Sequence, residues 1–373
     1  MFGYPGKYDG ERDTLMWDSR LQGSFSAWDQ QHQFNLGLSL ADSDSGTLDS
    51  AALTGFDAMP SFPGWRGDEV ARPAWDTPTQ AALDDMSLNR LYGSLLLSMT
   101  DDTNVILGMN LVDYRNRGVS WGVSTDSNED GGSPYLGLTW EVLDDLNLYA
   151  SYSDIYQPQY YLNEDLQPLG SAEGKSYELG LKKQFNNNLL ASVAVFRTEQ
   201  QNLQEFSAYS DGDGVDDTDY SDDFTYAIYR GIDVEAEGIE LEVAGNLTEQ
   251  LRIQAGYTHL KLEDPSNDEA RTFIPRNSFK MLADWNPAWS ARLNMGLSLR
   301  WQDDVYFDSA YGRISQDSYS VLGGYASYAF SDTLSLALNL NNIADEKYLS
   351  SVKYEQSYYA EPRSYSLSVK WDY

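Results

Sequence analysis

The chain has no cysteine and only two histidines, His32 and His259, far apart in sequence. That excludes a disulfide framework, a thiolate metal site and a cysteine nucleophile, and it gives a histidine-based metal centre little support. No apolar run approaches the roughly 18 residues that a membrane helix needs. Basic residues are scarce: 25 Lys and Arg against 58 Asp and Glu leave a net charge of −33. So acidic a chain is not expected to bind a nucleic-acid backbone or to be drawn to an anionic bilayer by its own field. It suits divalent cations or a salty habitat, and the composition does not choose between them. No Ser/His/Asp order, glycine-rich phosphate loop or His-Glu-x-x-His is found, so neither an enzyme nor a resident cofactor is expected. Met1–Lys7 also lacks the charged and then apolar segments of a secretory leader.

Aromatics are abundant, with 27 Tyr and 10 Trp among 373 residues. Both residue types favour the membrane interface, where one end of the ring is apolar and the other wet. The last ten residues show how they are used. Tyr365, Leu367, Val369, Trp371 and Tyr373 alternate without a break with Ser364, Ser366, Ser368, Lys370 and Asp372. A strand sends alternate side chains to opposite faces, so one face is apolar and ends in two aromatics, while the other is polar. A soluble sandwich strand can alternate too. A transmembrane barrel requires it: apolar side chains to lipid, polar ones to the lumen, aromatics at the interface. We read these five residues as the C-terminal signal that the barrel-assembly machinery receives.

Similar runs recur along the chain. They predict strands near Thr14–Trp28, Gln33–Ala41, Met86–Thr100, Thr103–Asn116, Pro134–Val142, Asn147–Tyr156, Lys175–Phe185, Leu189–Glu199, Val234–Gly245, Gln250–Leu262, Asn277–Trp285, Ala291–Trp301, Ser318–Phe330, Thr333–Asn341 and Pro362–Tyr373. The gaps alternate between tight turns, such as Asp101-Asp102 and Asp144-Asp145, and long excursions, such as Asp42–Asp85, Arg117–Ser133 and Gln200–Gly231. Transmembrane barrels show that asymmetry, short turns on the periplasmic rim and long loops outside. The expected fold is therefore an all-β transmembrane antiparallel barrel of the outer membrane, one β-domain over residues 1–373. About 15 strands is an odd number, and bacterial single-chain barrels have an even one. Together with the missing leader, this leads us to expect that the chain is the C-terminal part of a longer protein.

The strands from Pro134 onward resemble those of TonB-dependent siderophore receptors. The resemblance rests on Pro134–Trp140, Leu148–Gln159, Glu173–Lys182, Val195–Gln200, Gly238–Glu242 with Gly256-Tyr257-Thr258, Leu340–Tyr348 and Glu361–Leu367, in the family's order and spacing. It is most similar to receptors for ferric hydroxamates such as coprogen and rhodotorulate, or for ferripyoverdine. The resemblance implies a 22-stranded barrel closed by an N-terminal plug, a TonB box reaching the periplasm, a monomer, and a cell outer membrane of a Gram-negative bacterium. The implied function is uptake of a ferric siderophore, energised through the TonB complex. Plug, TonB box and the first strands have no counterpart in these residues. A passive channel or adhesin barrel is the alternative, and an outer-membrane lipase or protease barrel a third reading without a visible nucleophile.

The loops place aromatics where a bulky ferric chelate can sit: Trp65, Trp75, Trp121, Tyr156, Tyr160, Tyr161, Tyr306, Phe307 and Tyr311. Such a ligand offers flat apolar surface, which aromatic walls with a few polar anchors suit. Tyr156, Gln159 and Tyr160 stand out because they follow the top of a resembling strand, with Trp65, Trp121 and Tyr306 behind them. The alternative for each is interface girdle or loop packing. Trp140, Trp285, Trp289, Trp371 and Tyr373 lie beside short turns or the terminus and read as periplasmic girdle. Asp211-Gly212-Asp213-Gly214-Val215-Asp216-Asp217-Thr218-Asp219 looks like part of a calcium loop, with Asp211, Asp213 and Asp217 as ligands. A solvated acidic loop tip is the competing reading.

Overall fold

The computed structural model describes residues 6–54, 71–185, 188–210, 226–309, 312–353 and 357–372. Trp65, Asp211, Asp213, Asp217, Tyr311 and Tyr373 lie outside the described residues. Strands β1 (Tyr8–Ala27), β2 (Gln30–Asp49), β3 (Thr79–Ser98), β4 (Thr103–Ser120), β5 (Val123–Ser124) and β6 (Ser127–Leu143) come first. They are followed by β7 (Leu146–Gln157), β8 (Ala172–Phe185), β9 (Leu189–Ser210), β10 (Tyr226–Asn246), β11 (Leu251–Glu263) and β12 (Asn277–Trp285). The last are β13 (Leu293–Gln302), β14 (Val305–Ser309), β15 (Gly312–Gln316), β16 (Tyr319–Ala329), β17 (Leu334–Asn341) and β18 (Ser364–Trp371). Fifteen of them form one antiparallel path in chain order from β1 to β18. β5 pairs beside it with β4, and β14–β15 form a separate hairpin. An antiparallel path of fifteen makes β1 and β18 run the same way, and they are the two ends of that path.

Register shows why the sequence alternates. Leu95, Leu107, Leu136, Tyr152 and Tyr177 sit side by side on successive strands. So do Leu179, Val195 and Ile239, and Met281, Leu299 and Leu322. Among the described residues no second layer covers this face: Leu179 is 51% exposed, Val195 47% and Leu297 44%. A continuous bare apolar band is costly in water and required in lipid. Trp140, Trp285 and Trp371 edge it beside the short turns and are exposed, as girdle residues are. On β18, Tyr365, Leu367, Val369 and Trp371 stand on this face, opposite Leu340, Leu338, Leu336 and Leu334.

The opposite face is polar, carrying Arg90, Asn110, Glu178, Glu242, Lys280, Asp284 and Arg300. It also has a repeated steric device. Tyr92, Tyr135, Tyr149 and Tyr325 each stand directly across from a glycine: Gly37, Gly108, Gly180 and Gly296. A Cβ on any of these four glycines would lie 2.0–2.3 Å from the ring, so the ring occupies the missing side chain's place. Three of the hydroxyls reach carboxylates: Tyr92 donates to Asp18, Tyr149 to Glu178 and Tyr325 to Asp284.

Several strands run further than alternation predicts, mostly at the long-loop end. β1 begins at Tyr8, β9 reaches Ser210 and β10 starts at Tyr226. The expected loop Arg117–Ser133 is instead the tip of the β4–β6 hairpin, with Asn116 paired to Ser127. These tips are rich in Asp, Ser and Asn. Beyond the lipid band a ladder keeps its backbone bonds without needing apolar side chains, so hydropathy marks the membrane and not the strand's end. For the same reason the connection between β4 and β6 is no longer than the one between β12 and β13 at the short-turn end.

Candidate functional site

Long loops fold back over the polar face. The segment between β11 and β12 lays Ala270 and Ile274 against Val234, Leu262, Leu203 and Ile232, a small apolar core. Arg276 closes it by donating to the Ala270 carbonyl at 2.7 Å. The loop between β17 and β18 buries Tyr348 and Val352. There the Tyr348 ring stacks on Tyr319 at 4.1 Å, and Arg300 donates to the Tyr348 hydroxyl.

Buried amide side chains hold the bases of these loops. Asn342, 4% exposed, donates to the Glu346 and Glu361 carbonyls and accepts the Glu346 N–H. Its backbone is left-handed, with φ 48°. Asn342→Gly keeps the backbone and loses the three bonds, whereas Asn342→Ala loses both. Each is expected to loosen the loop by about 1–3 kcal/mol, alanine more than glycine. Cleavage of the 342–363 loop by external protease, timed on whole cells, measures it.

The aromatics meet where the loop between β7 and β8 touches the β9–β10 hairpin. Leu162 forms an isolated parallel bridge with Ile228, and Tyr229 N–H donates to the Leu162 carbonyl at 2.7 Å. That contact brings Tyr161 to 4.5 Å from Tyr229, with Tyr160 stacked on Tyr161 at 4.7 Å and Phe206 edge-on to Tyr229 at 6.0 Å. Tyr160 is 65% exposed and offers the free face of this shelf. Its hydroxyl is held up in pKa, first by the bond to Tyr161 and then by burial. Tyr156 stands near the end of β7, its ring filling the space over Gly131 and its hydroxyl bonded to Ser171, which donates to Glu129.

Gln159 does not join the shelf. It is 1% exposed, and both atoms of its amide are bonded within the protein. No atom is left to face a ligand, which corrects the expectation that it contacts one. Trp121 lies apart: its carbonyl accepts the Tyr226 hydroxyl, and its ring meets Tyr8 edge-on at 6.2 Å. Tyr306 stands on the β14–β15 hairpin, bonded through its backbone and Thr272, with its hydroxyl on Glu269. The Arg313 guanidinium covers its ring at 3.9 Å while forking onto Asp308, which lowers the Asp308 carboxyl's pKa. Burial, then Glu269, raises the Tyr306 phenol. Trp75 pairs with Ala52 across the base of the loop between β2 and β3.

Phe206 and Tyr229 were not among the expected site residues. They fall in the stretch read as acidic loop, and only their aromatic character amid Asp and Ser marked them. Among the described residues no cluster of His, Cys, Asp or Glu could hold a metal ion. What the arrangement offers is an aromatic shelf, with Tyr160 exposed, at the long-loop end of the sheet. Stacking on large flat or apolar ligands is the chemistry it can perform.

Comparison with known proteins gives this architecture relatives. Residues 2–343 match the model of the TonB dependent receptor-like β-barrel family. The ferripyoverdine receptor of Pseudomonas aeruginosa is 30% identical over 98% of this chain and 45% of its own length. The ferrioxamine B receptor of Salmonella typhimurium is 27% identical over 60% of this chain and 31% of its own. The crystal structure of the P. aeruginosa receptor bound to ferripyoverdine superposes with a TM-score of 0.84 at 28% identity, over 99% of this chain and 49% of that one. The outer-membrane alcaligin receptor of Bordetella pertussis superposes with a TM-score of 0.65 at 26% identity, over 91% and 52%. The chain thus spans about half the length of the relatives it matches.

Proposed function

The chain belongs to the TonB-dependent receptor β-barrel family, and from that membership we propose that it serves an outer-membrane receptor that takes up a ferric siderophore. The observation that carries the reading is the shelf of Tyr160, Tyr161, Tyr229 and Phe206 at the long-loop end of a sheet whose other face is dressed for lipid. The named relatives are receptors for ferripyoverdine and ferrioxamine B. Transport would draw its energy from the TonB complex, and the polar face of the sheet would line the route inward. Calcium in the acidic segment 211–217 and delivery of β18 to the barrel-assembly machinery belong to the same proposal.

Deleting the whole gene is expected to abolish growth under iron starvation on one ferric siderophore and to spare growth on the others. Uptake of 55Fe should fall with it and return on complementation. Undiminished uptake from a panel that includes ferripyoverdine, ferrioxamine B and ferric coprogen would remove the reading. Planar-bilayer conductance with no ferric ligand would point to a passive pore instead.

A further inference from the structure

Gln159 is a buried side chain of the long-loop end with both amide atoms bonded, and nothing in lipid contact or ion pairing calls for it. Its Nε2 donates to the Gly170 carbonyl at 3.0 Å and to the Asn202 carbonyl at 2.7 Å. Its Oε1 accepts the Gln204 N–H at 3.1 Å. The first bond closes the base of the loop between β7 and β8, residue 159 to residue 170. The other two fasten that base to a distorted stretch of β9. The distortion is built by Asn202, whose backbone is left-handed at φ 54°. Its amide donates to the Leu169 and Ser171 carbonyls, and its N–H donates to the Asp233 carboxylate across a register shift in β10. Gly231 leaves room for it: a Cβ there would lie 1.9 Å from the Asn202 side-chain oxygen. Arg271, from the loop between β11 and β12, donates to the Gln204 carbonyl and ties a third element to the same knot.

The two residues after Gln159 are the shelf tyrosines. We propose that Gln159 is a positioning residue for the ligand site: it touches no ligand, but its amide fixes where Tyr160 and Tyr161 stand relative to Tyr229. The proposal rests on the receptor reading for its ligand and on the geometry alone for its brace. A stacking surface on a long loop binds tightly only if it is ordered beforehand, because ordering it at binding costs affinity. A buried amide with every bond made holds one arrangement, whereas an apolar replacement leaves two carbonyls and an N–H without partners.

The test uses the full gene product in outer-membrane preparations, with ferripyoverdine and ferrioxamine B as probes. Folding is read independently by heat-modifiable mobility on gels. Gln159→Leu is expected to weaken binding of the recognised probe at least tenfold at unchanged site number, and to speed hydrogen exchange at the Tyr229 amide. Gln159→Glu, whose carboxyl when protonated keeps the acceptor bond but only one of the two donor bonds, should weaken binding less than leucine does; a mere volume effect would not separate the two. Asn163→Ala, which loosens the tip turn of the same loop by removing the caps on Asp165 and Gln167, should leave affinity unchanged. Unchanged affinity or unchanged Tyr229 exchange in Gln159→Leu overturns the proposal. If the wild-type protein binds neither probe, the receptor reading falls for these ligands, and the exchange result by itself still decides the brace.

Discussion

Leu297→Arg is expected to destabilise the folded barrel by about 2–4 kcal/mol, while Ser298→Arg, one residue along, is expected to be nearly neutral. Leu297 is the middle of five apolar residues on one face of β13, with Leu293 and Met295 on one side and Leu299 and Trp301 on the other. Its neighbours across the ladder are Ala283 and Gly324, too small to screen a charge. An arginine there must hold its guanidinium in hydrocarbon or drag water to it, and the penalty is greatest mid-band. Ser298 points the other way, into a recess shared with Glu242, Lys280 and Arg300, where a guanidinium stays wet. Urea titration of folding into lipid vesicles measures both. Equal effects at 297 and 298 would mean that the apolar face does not meet lipid.

That contrast also marks what could be read from residues alone. Period-two alternation is a direct imprint of a two-faced wall, so the strands crossing the lipid band, their order and the two rims are legible. Outside the band the chemistry that writes the pattern stops, and β1, β9 and β10 run on unannounced through Asp- and Ser-rich sequence. The shelf was half legible for a similar reason. Tyr160 and Tyr161 stand just above a recognisable strand, whereas Phe206 and Tyr229 reach them only through a register shift at Asn202 and a parallel bridge to Leu162. Neither has a local signature. Gln159 is expected at the site, with Tyr156 and Tyr160, only because all three follow the top of a recognisable strand. Its burial depends on Gly170, Asn202 and Gln204, contacts that sequence order conceals.

Gly296→Val should lower stability by about 1–3 kcal/mol, against the direction that strand propensity gives. Glycine weakens a strand and valine favours one, so a backbone argument alone predicts a gain of up to about 1 kcal/mol. The space over Gly296 is already taken: a Cβ would meet the Tyr325 ring at 2.0 Å and 2.7 Å. Valine must push the ring off, and the Tyr325 hydroxyl then leaves Asp284, the residue opposite Gly296 on the other side. The ring therefore spans three strands, β16 over β13 to β12, and the substitution undoes both of its attachments at once. A double-mutant cycle separates the terms. In a Tyr325→Ala background the steric objection is gone, and Gly296→Val should be neutral or stabilising. If valine costs the same with and without the tyrosine, the ring is not what the glycine is there for. The same cycle at Gly180 and Tyr149, on the other side of the long acidic hairpin, would then be expected to fail as well.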